Sequence, residues 1–175
     1  MDIKQHLKDR NLDMSLYSAV WLNERECIAT FGLWNLSGSL VGFQQYRPLA
    51  TKERNKNPRK MRYFTIIGKV GKIAKLGAFG VDLLNPKQRI IYITEGIFDA
   101  APFHIRGVNA IATLANNPKH LAEWLRSLGY HLIAVCDGDD AGMKLANVAD
   151  GAIFLPKDCD AGDMDDKWFD WVLGV

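Results

Sequence analysis

The sequence predicts an α/β fold in which a parallel sheet flanked by helices follows a small, strand-rich α+β subdomain. Three observations predict it. Apolar residues make up 48% of the 175 positions and charged residues 24%, enough to bury a core and too apolar for wholesale disorder. Beyond residue 86, short apolar runs alternate with helical stretches of about ten residues, the rhythm of parallel strands covered on both faces. Before residue 86, strand-like runs are separated by turns and polar loops. The chain thus divides into residues 1–86 and 87–175, a length that suits one domain with a small appended subdomain.

In the first part, residues 3–10 carry Ile3 and Leu7 at i, i+4 in a polar setting and predict a short helix. Residues 14–22 (MSLYSAVWL) suit a second. Residues 27–34 (CIATFGLW) and 40–46 (LVGFQQY) read as strands joined through NLSGS, with Gly38 at the hairpin turn. Residues 51–61 (TKERNKNPRKM) are basic, polar and broken by Pro58, and read as an exposed loop. Residues 62–67 (RYFTII) form a third strand candidate, and the glycines and lysines of 68–80 predict a loop-rich passage.

In the second part, residues 90–94 (IIYIT) form a strand and 97–105 a helix. Residues 108–113 (VNAIAT) form the next strand. Residues 118–128 predict a helix with Pro118 at its start and Gly129 just past its end. Residues 131–136 (HLIAVC) are a strand, 141–149 a helix and 152–155 a last short strand. Residues 165–173 predict a closing helix with Trp168, Trp171 and Val172 turned inward.

The formal net charge of +2 averages unlike parts. Residues 51–76 hold nine Lys/Arg against one acid, and residues 137–175 hold ten acids against three Lys. Lys52, Arg54, Lys56, Arg59, Lys60 and Arg62 crowd one loop, Lys69, Lys72 and Lys75 follow, and Arg47 precedes it. Such a run is usually a solvated face. Opposite an acidic region, it favours a nucleic-acid footprint, whose binding would depend steeply on salt. Tyr63 and Phe64 at its edge suit stacking on bases.

Other classes are excluded. No apolar run approaches the roughly 18–20 residues of a membrane span, and the polar start MDIKQHLKDRNLD lacks a signal-peptide core. Cys27, Cys136 and Cys159 form no CxxC pair, and His6, His104, His120 and His131 complete no zinc pattern. Three unpaired thiols fit a reducing, cytoplasmic setting. There is no GxxxxGK[ST] phosphate loop.

The sharpest chemical signal is Asp137-Gly138-Asp139-Asp140-Ala141-Gly142, after the HLIAVC strand. In extended backbone i and i+2 face the same way, so Asp137 and Asp139 can project together. Close carboxylates repel, and a hard divalent cation removes the conflict. Open α/β sheets place ligands outside the carboxyl ends of their strands. The same residues also suit an Asp/Gly-rich turn with Asp140 capping the next helix. Glu95, in Thr94-Glu95-Gly96 after the IIYIT strand, would share that edge as a general acid/base or metal ligand. It equally suits a solvated helix start, as does Asp99. Asp160 and Asp163, in the acidic segment after Leu155-Pro156, would approach the same edge if the last strand joins the sheet.

Together these motifs resemble the TOPRIM domain. That domain is shared by bacterial and phage primases, type IA and type II topoisomerases, overcoming-lysogenization-defect nucleases and recombination-mediator proteins. The matching stretches are IIYITEGIFDA, LIAVCDGDDAGMKLA and LPKDCDAGD, spanning residues 88–165. FGLWNLSGSLVGFQQYRP looks like the strand-turn-strand piece that precedes TOPRIM in primase polymerase domains. LPKDCDAGD is similar to the corresponding ending in phage helicase-primases.

The resemblance implies a TOPRIM-like parallel sheet. Glu95 corresponds to the family's catalytic glutamate and Asp137 and Asp139 to its metal pair, with Asp160 and Asp163 as distal acidic positions and Mg²⁺ or Mn²⁺ as cofactor. It implies metal-dependent phosphoryl transfer on DNA by a primase-like nucleotidyltransferase core acting in DNA replication. The expected partners are single-stranded DNA, nucleoside triphosphates and a helicase or other replication protein, with no membrane. A small TOPRIM nuclease or nicking endonuclease is the alternative, and a non-catalytic DNA-binding module the third. The zinc-binding and helicase modules of larger primases are not found in these residues, and 175 residues leave no room for a topoisomerase's nucleophilic tyrosine domain.

Overall fold

The structure is a computed structural model, and it describes residues 1–51, 56–115, 117–137, 140–156 and 159–174. Helix α1 (Ile3–Asp9) starts where the Asp2 carboxylate accepts the backbone N–H groups of Lys4 and Gln5, and it buries Ile3 and Leu7. The expected second helix does not form. Asp13 instead caps a single 3₁₀ turn (Met14–Leu16), and the chain extends into β1 (Val20–Asn23). The reason is tertiary: β1 pairs antiparallel with β2 (Ile28–Trp34), Val20 opposite Phe31, so the sheet overrides a segment of mixed propensity.

Strands β3 (Leu40–Tyr46) and β4 (Tyr63–Ile67) complete an antiparallel sheet in the order β1-β2-β3-β4. The β2–β3 turn is held by the Asn35 side chain, which accepts from Ser37 and Ser39 N–H, and Gly38 takes the left-handed conformation there. The glycine- and lysine-rich passage contains a small hairpin, β5 (Lys69–Val70) and β6 (Ile73–Ala74), whose tip exposes Val70 and Ile73. Trp34 then pairs with Ala78, and Phe79 with Ala112, linking the two parts of the chain through backbone bridges.

The second sheet is built from β7 (Ile90–Thr94), β8 (Ala110–Ala112), β9 (His131–Cys136) and β10 (Gly151–Phe154). Its order is β10-β9-β7-β8 and every pairing is parallel. Helix α2 (Ile97–Ile105) crosses from β7 to β8. A 3₁₀ turn (Pro118–Leu121) and α3 (Ala122–Arg126) lead to β9, α4 (Asp140–Ala146) leads to β10, and α5 (Asp166–Leu173) closes the chain. The helix expected over 118–128 is thus split, with Asn117 capping a 3₁₀ start.

Alternation along each strand sends side chains to two cores. Ile91, Ile93, Ile111, Leu132, Ala134 and Cys136 meet Leu121, Leu125, Leu145 and Val148 of the α3/α4 layer. Tyr92, Ala110, Ala112 and Val135 face the α2/α5 layer, and that core continues into Phe31, Leu33 and Tyr46 of the antiparallel sheet and Ile3 and Leu7 of α1. Phe31 meets Phe79 and Phe98 edge to face, so one aromatic cluster sits under both sheets. In α5 the inward residue is Phe169, which packs against Phe103. Trp168 and Val172 are half-buried, and Trp171, expected inside, is 71% exposed. The Asp165 cap fixes the helix phase so that Phe169 lies beneath the Arg106 guanidinium, which also pairs with Asp166. Among the described residues no helix is long and apolar enough to cross a membrane.

Candidate functional site

Parallel pairing puts the carboxyl ends of all four strands at one edge. Ile93 lies beside Ala134 and Phe154 beside Cys136, so Glu95, Asp137 and the segment after Leu155 emerge side by side. The edge is pinned by backbone bonds. Thr113 N–H donates to the Thr94 carbonyl at 3.0 Å, Leu114 N–H to the Glu95 carbonyl at 2.9 Å, and Leu155 N–H to the Cys136 carbonyl at 2.9 Å. Leu114 does so in a left-handed conformation (φ 57°), which costs a non-glycine residue about 1–2 kcal/mol. Backbone strain is therefore held beside Glu95.

Gly142 shows why the DxDxxG motif ends as it does. A Cβ there would lie 2.2 Å from the Asp137 carbonyl oxygen, so only glycine lets α4 start against the end of β9. Gly162 meets a milder form of the same constraint in the acidic segment. A Cβ would lie 3.0 Å from the Phe98 carbonyl oxygen, so glycine lets the 3₁₀ turn Ala161–Asp163 press against α2.

The electrostatics bring the carboxylates together. Burial, joined by the charges of Glu95 and Asp137, pushes the Cys136 thiol up to about 11. Burial pushes the Asp99 carboxyl up to about 7, with the negative charges of Asp137 and Asp160 adding to the effect. The Gly96 N–H donates to Asp99 at 3.0 Å and opposes the shift, as does the Arg10 guanidinium. Glu95, Asp99, Asp137 and Asp160 therefore lie within electrostatic reach of one another, with Asp160 on the exposed side. Asp163 stands exposed at the end of its 3₁₀ turn. Asp139 lies outside the described residues.

Among the described residues no three His, Cys, Asp or Glu side chains form a ready-made metal cluster. The donor set is nonetheless all oxygen, and burial together with the charges of Asp137 and Asp160 already raises the Asp99 carboxyl to about 7. Such a set fits a hard divalent cation, which would relieve the repulsion.

The expected cations fall into two groups. Lys56, Arg59, Lys60, Lys69 and Lys72 are exposed, while Lys52 and Arg54 lie outside the described residues. Arg62 and Arg47 are half-buried and partly committed within the protein. Arg62 donates through Nε and Nη2 to the Ala50 carbonyl at 2.9 and 2.7 Å, and Arg47 Nη2 donates to Gln45 Oε1 at 2.5 Å. Arg47 Nη1 is buried with no hydrogen-bond partner among the described residues. Tyr63 is 42% exposed and stacks on Tyr46 with ring centroids 5.2 Å apart.

Arg10 and the His6–Tyr46 pair were not singled out by sequence, and Asp99 was read only as a solvated helix start. Arg10 lies over the Phe98 ring at 4.3 Å and sets a positive charge near Asp99. His6 Nε2 and the Tyr46 hydroxyl share a 2.9 Å hydrogen bond that braces the Tyr46–Tyr63 stack. Asp99 itself carried a readable signal: it follows Glu95 by four residues across a strand-to-helix turn, a spacing that keeps both at one edge.

No family model matches the chain, and no curated protein matches it in sequence. Solved structures do match. Over 98% of its length the chain superposes on the Aquifex aeolicus primase (zinc binding and RNA polymerase domains), with a TM-score of 0.66 and 15% identity, covering 54% of that chain. Over 99% it superposes on the RNA polymerase domain of Mycobacterium tuberculosis primase DnaG, with a TM-score of 0.60 and 22% identity, covering 61% of that chain. Over 98% it also superposes on a DnaG primase catalytic domain bound to ssDNA, with a TM-score of 0.64 and 15% identity, covering 72% of that chain. The chain thus spans a little over half the length of the first two. At these identities the likeness is one of architecture, and the chain has the fold of primase catalytic cores.

Proposed function

We propose that the chain is a primase-like nucleotidyltransferase core that joins nucleotides along single-stranded DNA. The observation that carries this reading is the extent of the likeness, which covers 98–99% of the chain and so takes in both sheets. A nicking enzyme needs a carboxylate edge. A template-directed enzyme also needs a surface that holds a strand beside that edge, and the antiparallel half carries exposed cations and an exposed tyrosine. That one of the matched cores is bound to ssDNA supports the choice of template.

Each residue group then has a task. Glu95, half-buried at the end of β7 and fixed by Leu114, accepts the proton of the attacking ribose 3′-hydroxyl. Asp137 and Asp139, with Asp160 and Asp163, would hold Mg²⁺ or Mn²⁺. That ion, when bound, would neutralise triphosphate charge and favour departure of pyrophosphate. Asp99 holds the Gly96 N–H and fixes the turn that aims Glu95. Lys56, Arg59, Lys60, Lys69 and Lys72 bind the template backbone, and Tyr63 offers a stacking face. In replication such a core would act beside a helicase or another replication protein.

The test incubates the purified chain and Mg²⁺ or Mn²⁺ with labelled nucleoside triphosphates and single-stranded template, and in parallel with supercoiled plasmid. Short oligonucleotide products that vanish in Asp137→Ala are the expected result. Open-circle plasmid would replace this reading with a nicking enzyme, and DNA binding without either product would leave a binding module.

A further inference from the structure

The loop and hairpin do not exhaust the positive surface. A cleft of about 680 Å³ opens between the Pro118–Leu121 turn with α3 on one side and α4 on the other. Asn117, Lys119, His120, Glu123, Arg126 and Lys144 line it. Lys119, Arg126 and Lys144 are exposed, and among the described residues none of them enters an ion pair. Among the described residues Glu123 is the only acid on its walls. Lys144 is one of three Lys among the ten acids of residues 137–175, yet it joins Lys119 and Arg126 at this cleft. Packing does not require this grouping. The α3/α4 layer anchors itself through Leu121, Leu125, Leu145 and Val148, and the cations project from its outer side.

Position gives the cleft its meaning. Leu114, bonded to the Glu95 carbonyl, lies three residues before Asn117, and α4 begins just past Asp137. The two segments that form the cleft therefore both set out from the carboxylate edge. The α3/α4 layer covers the sheet face opposite α2 and the antiparallel sheet, as the two cores show. Cations thus belong to the layers on both faces of the parallel sheet, Lys56, Arg59 and Lys60 on one and Lys119, Arg126 and Lys144 on the other. Among the described residues no Phe, Tyr or Trp lines the cleft, so they offer ammonium, guanidinium and amide donors and no stacking face. That chemistry reads phosphate oxygens and not bases.

We propose that this cleft binds the phosphodiester backbone of a nucleic-acid strand that crosses the carboxylate edge, so that the strand is gripped on both sides of the reacting phosphorus. The inference rests on the DNA reading above and adds to it a second, sequence-independent anchor.

The test is fluorescence anisotropy with labelled single-stranded DNA across a salt series. It compares the wild type, the cleft variant Lys119→Ser/Arg126→Ser/Lys144→Ser, and a charge-matched control, Lys8→Ser/Lys87→Ser/Lys167→Ser. All six side chains are exposed, so an unchanged melting temperature verifies the fold of each variant. With a long oligonucleotide the cleft variant should bind about tenfold more weakly than the control. Its slope of log affinity against log salt should be shallower by about 2, near 0.7 per lost phosphate contact. Affinity and slope equal to the control would overturn the cleft while leaving the DNA reading intact. Failure of the wild type to bind DNA at all would overturn both. Inorganic triphosphate provides the remaining arm: if the cleft variant loses triphosphate binding but keeps the control's affinity for DNA, the cleft serves a free polyphosphate and the strand proposal falls.

Discussion

In the parallel sheet, Ile91, Tyr92, Ile93 and Thr94 are buried one after another, because helices cover both faces. In the antiparallel sheet the pattern breaks open: Trp21, Leu40, Tyr63 and Ile66 are exposed among buried neighbours such as Phe31, Leu33 and Tyr46. The difference decides where charge can go. A strand buried on both faces can present a carboxylate only at its end, so the acids crowd one edge and perturb one another. A sheet with a wet face and long connections can spread its cations over exposed loops, where each stays hydrated. One half of the molecule is thus a small, tense acidic edge, and the other a broad positive surface.

The largest expected effect tests the acidic edge. Glu95→Gln or Asp137→Asn should lower template-directed incorporation by at least about 100-fold, the scale of losing a general base or a metal ligand. Neither should lower the melting temperature, because each removes a repelling charge. Equal losses of activity and stability would mean that these residues only support the fold, and the contrast would be broken. Next comes the cluster beneath both sheets. Phe98→Ala should cost about 3–5 kcal/mol, and calorimetry should show one transition at a lower temperature. Two resolved transitions would show that the sheets fold independently. A smaller effect is expected on the positive surface. Replacing Arg59, Lys60, Lys69 and Lys72 by Ser should weaken DNA binding about tenfold at moderate salt and flatten the salt slope by about 3. An unchanged slope would remove that surface from the footprint.

The last effect is in pH. His104 is buried, its Nδ1 accepting from the Tyr17 hydroxyl and its Nε2 donating to the Ala110 carbonyl, and burial lowers its affinity for a proton below the usual 6.5. The unfolded chain therefore binds more protons, so this contribution to stability is full above pH 6.5 and is lost as pH falls. Asp99 acts in the opposite sense. Its folded value of about 7 against 3.8 gives a contribution that is full below pH 4 and is lost as pH rises to 7. His104→Gln should therefore remove a loss of stability on the acid side, and Asp99→Asn a loss between pH 4 and 7, each measured by denaturant titration against the wild type. A wild-type profile retained by either variant would place the titration elsewhere.

The two halves also differed in how far their sequences could be read. Strands β7 and β9 and the shared edge of Glu95 and Asp137 were legible because continuous apolar runs and strand-end turns are local signals. Strand β1 was not, since VWLN becomes a strand only through its pairing with β2. Trp171 was placed inward because several apolar residues on one short helix allow two phases, and only the contacts of Phe169 with Phe103 and Arg106 choose between them. Asp99 was underweighted because its neighbours Asp137 and Asp160 come from distant segments. Arg10 gave no signal at all: its place over Phe98 depends on how α1 lies against α2.

The aromatic cluster of Phe31, Phe79 and Phe98 also bears on how such a protein could be recombined. The chain passes from one sheet to the other through Ala78 and Phe79, each bridged to a different sheet, so the connector is itself part of the packing. A chimaera that replaced residues 87–175 with the corresponding half of another protein would inherit a foreign α2 against this chain's Phe31, Tyr46 and Arg10. Grafts should succeed only when that helix face travels with its partners. The transferable unit is the interface, and the cut that preserves it does not run between the two halves of the sequence.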